Sequence, residues 1–277
     1  MDKNKIKKKY NEKIQNLVKL NKHYYDLSKP LVNDHEYDQI KAEILSLEKK
    51  YNFLESENSP SKIVGFKPSK TFKKVFHRVP MLSLSNAFSE EDLINFEKKI
   101  NNFLGQKSSN QLEYSAEPKI DGISASLIFK KGKFIMGLSR GDGKEGEDIT
   151  NNLMTIDDIP KNISAENFPD EIDIRGEVFI QNKDFENLKD KFANPRNAAS
   201  GSLRQKNPQD TKKIPLKFIA YTFGYVNNME IKNQSNFLHQ LSEWGFKINP
   251  FNKTIKGVKN LMKNYKEIEK KRNEINF

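Results

Sequence analysis

A lysine, then an aspartate two residues on, then a glycine form Lys119-Ile120-Asp121-Gly122, with Glu117 just before and a strand-like run over 123–129 just after. A lysine amine can act as a covalent nucleophile toward phosphorus. In an extended chain residues i and i+2 share a face, so Glu117, Lys119 and Asp121 line one pocket wall if this segment is extended. Gly122, lacking a Cβ, lets a phosphate or a neighbouring backbone come close. With 48 Lys and Arg in the chain, the same spacing also suits an ordinary solvated turn. The motif therefore gains its weight from what accompanies it.

Three further segments could serve such a lysine. Arg140-Gly141-Asp142-Gly143 has the glycines of a backbone that bends near a ligand, with an arginine suited to a ribose or phosphate oxygen; a glycine-rich surface loop has the same composition. Arg175-Gly176-Glu177-Val178-Phe179 puts a carboxylate on a strand, where it suits a ribose hydroxyl, a Mg²⁺ ion or a salt bridge. For Arg175, function and a structural salt bridge are equally good readings. Ala193 through Gln205 combines Arg196 and Arg204 with asparagines and small residues, a pattern that offers donors to a nucleic-acid backbone. Arg is rare here, at positions 78, 140, 175, 196, 204 and 272 against a background of lysine. Its planar fork grips phosphate or carboxylate bidentately where lysine cannot. Tyr221, in an aromatic strand, could stack on a base but reads by itself as core.

These groups need elements to carry them. Ile6, Tyr10, Ile14, Leu17 and Val18 follow a helical period, as do Tyr37, Ile40, Ile44, Leu47 and Tyr51. Pro30 separates the two runs, and Asn33-Asp34-His35-Glu36 predicts a capping box opening the second. Residues 56–71 read as a polar linker. Beyond it the pattern is mixed. Ser89 caps a helix expected to turn Leu93, Phe96, Ile100 and Phe103 inward. A hairpin spans 123–139 with its turn at 130–133, strands cover 171–180 and 216–225, and Val258, Leu261, Met262, Tyr265 and Ile268 mark a last helix. Residues 275–277 read as the threshold of another strand.

Composition narrows the class. The net charge of +11 fits a polyanionic partner and also serves solubility. No apolar run is long enough to span a bilayer, and no apolar region follows the basic N-terminal run, so neither a membrane segment nor a signal peptide is expected. Cysteine is absent, which excludes disulfides and Cys-ligated zinc. A cytoplasmic protein fits.

The ordered set of motifs resembles the bacterial NAD⁺-dependent DNA ligases. The set is Tyr24-Tyr25 with Asp34-His35-Glu36-Tyr37-Asp38, Met81-Leu82-Ser83-Leu84, the Lys119 motif, Arg140-Gly141-Asp142-Gly143, Arg175-Gly176-Glu177-Val178-Phe179, and Asn194-Pro195-Arg196-Asn197 through Leu203-Arg204-Gln205. The resemblance implies an α+β fold. Residues 1–70 would be a small helical domain and linker that binds nicotinamide mononucleotide. Residues 71–277 would be an incomplete nucleotidyltransferase domain, ATP-grasp-like with antiparallel sheets, truncated at its C-terminus. It implies that Lys119, with Asp121, is catalytic and takes AMP from NAD⁺. Glu117 would contact the adenine and Tyr221 would stack on it after all. Arg140 and Glu177 would hold the ribose, and Ser83 and Leu84 would line the dinucleotide site. Tyr24, Tyr25, Asp34, Tyr37 and Asp38 would grip the nicotinamide half, although Tyr25 stands where some members have histidine.

Arg196 and Arg204 would engage phosphates of nicked double-stranded DNA. Mg²⁺ (or Mn²⁺) would assist, with no metal ligands assigned in the chain. A free lysine amine, with its ordinary value of ~10.4, is mostly protonated at neutral pH, and burial and nearby cations are what expose such a nucleophile. Since the later modules of such ligases are missing, a monomeric fragment, a split product awaiting a complementing C-terminal ligase fragment, or a truncated homologue is expected. Such a chain should bind NAD⁺ weakly and seal nicks poorly. The alternatives are a non-catalytic nucleotide- or DNA-binding module and an ATP-dependent RNA ligase or capping enzyme; the Tyr24-to-Asp38 clamp argues against the latter.

Overall fold

The computed structural model describes residues 3–23, 31–59, 72–106, 111–272 and 274–277, with the side chain of Asp34 left aside. Tyr24 and Tyr25 lie outside the described residues.

Helix α1 (Lys3–Asn21) packs on α2 (Asp34–Lys50) through Ile6, Tyr10, Ile14, Leu17 and Ile44, with Leu54 closing the end. Each large apolar side chain buried this way contributes about 1.5–3 kcal/mol. The expected capping box is formed, since Asn33 accepts from the Glu36 N–H at 2.9 Å and Glu36 accepts in return. Tyr10 donates to Glu48 at 2.6 Å across the pair. Val18 does not join this core and stays 40% exposed.

The remainder is built on antiparallel sheets. In chain order it comprises β1 (Lys74–Phe76), α3 (Glu90–Phe103), β2 (Glu113–Ala116), β3 (Ile123–Lys130), β4 (Lys133–Ser139), β5 (Glu145–Glu147), α4 (Thr150–Leu153), β6 (Glu171–Ile180), α5 (Asn182–Phe185), α6 (Pro195–Leu203), α7 (Pro208–Lys212), β7 (Leu216–Val226), α8 (Gln234–Glu243), β8 (Lys253–Lys256) and α9 (Val258–Lys271). The central sheet runs β4-β3-β6-β7, while β1 pairs with β5 and β2 with β8. The β3–β4 hairpin turns at Lys131 and Gly132, both at positive φ, as a two-residue turn matching strand twist requires. With the helical pair ahead of these sheets, the fold is α+β.

Strand β6 is buried on both faces. Ile172, Ile174, Val178 and Ile180 join one large core with Ala125, Leu127 and Phe129 of β3, Ala198, Ala199 and Leu203 of α6, and Phe237, Leu238 and Leu241 of α8. Asp173, Arg175, Glu177 and Phe179 therefore project from the other face, by the two-residue period of a strand. Burying three ionisable groups on one strand is costly unless each is partnered. Their partners define the site.

Two expectations are corrected. Helix α3 forms with its Ser89 capping box, but its apolar stripe turns inward only in part: Leu93 and Ile100 are half-buried, whereas Phe96 is 51% and Phe103 90% exposed, and Asn101 is the buried residue. Periodicity specifies that a helix forms and which face is apolar; what covers that face depends on neighbours, and α3 meets little beyond α9. Residues 274–277 form no strand. The Asn276 carbonyl instead accepts from the Asn182 N–H at 3.3 Å, and Phe277 packs edge-on against Phe179. Among the described residues no helix is long and apolar enough to cross a membrane.

Candidate active site

Strands β2 and β3 are joined by residues 117–122, which carry the lysine motif. The segment is in no ladder, but four of its residues fix it. Glu117 Oε1 accepts from Ser115 Oγ at 2.8 Å and from Gln234 Nε2 at 2.9 Å. The Pro118 carbonyl accepts from the buried Asn249 side chain at 3.3 Å. Ile120 is buried against Phe179 and Ile219, with Phe277 packed alongside. Gly122 lies flat on β6, where a Cβ would fall on the Val178 carbonyl oxygen. Ile120 and Gly122 point inward, so Lys119 and Asp121 share the exposed side. The expected common wall thus holds for these two, while half-buried Glu117 is turned toward β7 by Gln234.

Facing the loop is Glu177, only 6% exposed. It pairs across the sheet with Ser124, whose hydroxyl donates to Glu177 Oε2 at 2.8 Å. Burial pushes the Glu177 carboxyl above the usual carboxylate range; the Ser124 bond and then the charges of Arg196, Lys119 and Arg140 pull against that rise. One buried carboxylate thus feels the charges of three cations that the sequence singled out.

Tyr221 arrives by a bulge. The β6–β7 register shifts between Arg175 and Gly176, which pair with Thr222 and Ala220 and leave Tyr221 without an opposite number. Such a bulge re-aims a side chain. Tyr221 comes to lie by Glu177 and Ser124, where burial, and then the Glu177 charge, push its phenol up to about 12. Gln234 also donates to the Tyr221 carbonyl, at 2.6 Å.

Arg140 follows β4 and opens a turn closed by the Gly143 N–H on the Arg140 carbonyl at 3.0 Å, with Gly141 and Gly143 both at positive φ. The same carbonyl lies 3.1 Å from His77 Nε2. A carbonyl only accepts, so this nitrogen is the one that carries the proton. Burial lowers the His77 pKa, which keeps the ring neutral at pH 7.

Arg196, early in α6, donates to Asp121 Oδ1 at 2.9 Å. Arg204, at the other end of that helix, gives its Nε to the wholly buried Glu147 at 2.9 Å and remains 36% exposed. Among the described residues Arg175 makes no carboxylate salt bridge. It donates to the carbonyls of Pro80 and Val79, and so tethers the segment leading to Ser83 and Leu84. Asp173 is taken instead by Arg78, which also reaches Glu171 at 2.6 Å and stacks on the Tyr225 ring. Ser83 and Leu84 are exposed, not packed into the cluster. Tyr37 and Asp38 are half-buried on the helical pair, where the Tyr37 hydroxyl donates to Asn21 at 2.6 Å.

Against known families, residues 69–277 match the NAD-dependent DNA ligase adenylation domain, and residues 3–65 match the DNA ligase-like, N-terminal NAD⁺-binding domain. The chain belongs to the NAD-dependent DNA ligases. It is similar to the DNA ligase of Pelagibacter ubique, with 67% identity over 268 residues covering 97% of this chain and 40% of that protein. The DNA ligases of Parvibaculum lavamentivorans and Syntrophus aciditrophicus are 43% and 40% identical, covering 94% and 93% of this chain and 38% and 40% of theirs. The chain thus spans about 40% of the length of these relatives.

Several groups of this candidate site were not foreseen in the sequence. Ser124 is a polar residue on the alternate face of a strand, and that alternation was the available signal. Gln234 and Asn249 carried no signal, since their contacts join positions more than a hundred residues apart. Among the described residues no set of three or more His, Cys, Asp or Glu side chains converges as a metal site. Asp121 is engaged by Arg196 and Glu177 by Ser124, so among the described residues these carboxylates do not fit a protein-held Mg²⁺.

The buried carboxylate has a consequence for stability. Its folded pKa lies above the unfolded one, so the stability it contributes is complete below the ordinary Glu range and is lost as pH rises through the folded value. Glu177→Gln keeps the acceptor for Ser124 and removes the charge. At pH 7 the variant should melt about 2–4 °C above the parent, the shift that roughly 1 kcal/mol gives in a domain of this size. The gap should close below the ordinary Glu range. Melting curves across pH test this, and a gap that widens in acid would contradict it.

Proposed function

We propose that this chain loads AMP onto Lys119 from NAD⁺, the first step of nick sealing by an NAD⁺-dependent DNA ligase. The deprotonated Lys119 amine attacks the adenylyl phosphorus. A P–N bond forms, the pyrophosphate P–O bond breaks, nicotinamide mononucleotide leaves with the electron pair, and the amine loses a proton to solvent. AMP then passes to the 5′-phosphate of a nick in double-stranded DNA, and the 3′-hydroxyl displaces it to seal the strand.

The roles follow the resemblance, residue by residue. Glu117 takes the adenine edge and Tyr221 its face. Glu177 and Arg140 hold the ribose, and Ser83 and Leu84 close over the dinucleotide. Tyr24, Tyr25, Asp34, Tyr37 and Asp38 hold the nicotinamide half on the domain of residues 1–70, ahead of the adenylating domain of 71–277. Arg196 steadies Asp121 and, with Arg204, meets DNA phosphate; such contacts position DNA without reading its sequence. Mg²⁺ or Mn²⁺ would supply charge neutralisation at the attacked phosphate, with no residue of this chain assigned to hold it. Lys119 is exposed in this structure, not buried as its sequence role suggested, so its desolvation comes with the bound dinucleotide. A monomer acting in the cytoplasm, completed by further ligase modules, is part of this reading.

One observation carries the proposal: Lys119 stands on a loop fixed at four points, with Arg196 bonded to Asp121 on the same loop and a buried carboxylate, Glu177, that feels the charges of Arg196, Lys119 and Arg140. Those cations neutralise charge that develops on an attacked phosphate. The test is the intact mass of the folded 277-residue chain after incubation with NAD⁺ or ATP. A gain of one AMP is expected from NAD⁺ and none from ATP. A folded chain that gains nothing from NAD⁺, or gains AMP from ATP, overturns the proposal.

A further inference from the structure

We infer that Gln234 is a specificity-determining residue for the purine, fixing Glu117 and Tyr221 at a spacing that selects adenine over a base with a carbonyl in place of the exocyclic amine. The inference rests on the reading of Glu117 and Tyr221 as the adenine site.

The side-chain amide of Gln234 lies at the first turn of α8, just after its cap Asn233. Its Nε2 donates to Glu117 Oε1 at 2.9 Å and to the Tyr221 carbonyl at 2.6 Å. An ionised carboxylate and a backbone carbonyl can only accept, so the nitrogen must face both, and both of its hydrogens are used. The Tyr221 carbonyl is placed for this by the bulge that leaves Tyr221 without a partner on β6. One rigid amide thus links the residue that reads the edge of the base to the residue that covers its face.

The link also sets which oxygen of Glu117 is free. Oε1 is occupied twice, by Gln234 and by Ser115 Oγ at 2.8 Å. Among the described residues Oε2 has no partner. A carboxylate held in this way offers one fixed acceptor. The amine of adenine donates to it, whereas the carbonyl of hypoxanthine brings a second acceptor against a negative oxygen. Without Gln234 the carboxylate keeps only Ser115 and can rotate, and the distinction weakens.

The experiment compares NAD⁺ with its deaminated analogue, nicotinamide hypoxanthine dinucleotide, as donors to the 277-residue chain, scoring the mass adduct and its rate. The parent should prefer NAD⁺. Gln234→Met, of similar length without the donors, should raise KM for NAD⁺ about tenfold, the scale of one lost bond to a charged group. It should leave kcat near the parent value and bring the preference close to unity. Gln234→Glu, which keeps the shape and reverses the hydrogen bonding, should do the same and serves if methionine unfolds the chain. Ser235→Ala, one residue along the same helix, should match the parent. If the Gln234 variants keep the parental preference while Glu117→Gln loses it, the inference fails and the reading of the site stands. If Glu117→Gln also keeps the preference, or the parent forms no adduct, the reading of the site fails and the inference with it.

Discussion

Lys119→Arg should fold like the parent and carry no AMP after incubation with NAD⁺. Lys119 is exposed and takes no part in a core, so a longer side chain costs the fold little; surface changes of this kind usually stay within about 0.5 kcal/mol. Arginine keeps the positive charge near Glu177, and with it the electrostatic part of nucleotide binding. What it removes is the nucleophile, because a guanidinium stays protonated in proteins and has no amine lone pair to give. Loss of loading should therefore be complete in practice, by well over ~10³-fold, the scale on which covalent nucleophiles are missed. Binding, read as the rise of melting temperature with NAD⁺, should survive. The chain has many other lysines, so an NAD⁺-dependent adduct on the arginine variant would show that a different amine carries the chemistry.

How far the sequence foretold this site depends on the kind of interaction. Local rules read well. The capping boxes at Asn33 and Ser89 were visible because the residues that satisfy the first N–H groups of a helix lie three positions apart. The hairpin turn at residues 130–133 was visible because its neighbours alternate. The charged face of β6 follows from the strand period once the strand is placed.

Interactions between distant segments did not read. Tyr221 looked like core from its own strand, since the bulge that turns it toward Glu177 is a property of the β6–β7 pairing. Arg175 and Arg78 have identical chemistry, and only the fold gives the carboxylate to one and the backbone carbonyls to the other. Exposed apolar positions of α3 and the segment before it, among them Leu84, Phe88, Phe96 and Phe103, show the limit from the other side. An apolar period predicts a buried face, and the neighbours decide whether anything is there to bury it.

Gly122→Ala tests whether the loop must lie on β6 for the chemistry to occur. A methyl at Gly122 would fall on the Val178 carbonyl oxygen, and would stand 2.9 Å from Glu177 Cγ and 3.0 Å from Phe179 Cβ. None of these can yield cheaply. Val178 and Glu177 belong to a strand paired on both sides by β3 and β7, and Glu177 is held by Ser124. The loop must rise instead, and it carries Asp121 next door and Lys119 three residues before. Alanine also narrows the unfolded ensemble, a gain of about 0.4–1 kcal/mol, but overpacking of this kind costs about 1–3 kcal/mol. Net destabilisation should lower the melting temperature by several degrees, up to about 10 °C. Loading should suffer far more. A shift of about 1 Å between reacting groups is worth ~10²-fold in rate, and lifting the loop moves Lys119 away from Arg140, Arg196 and the phosphate they would hold. The measurement is the pair of readouts on one sample, melting temperature and rate of AMP gain from NAD⁺. A folded alanine variant that loads at the parental rate would mean that contact with β6 does not position Lys119, and the nucleophile would then have to be set by the bound dinucleotide alone.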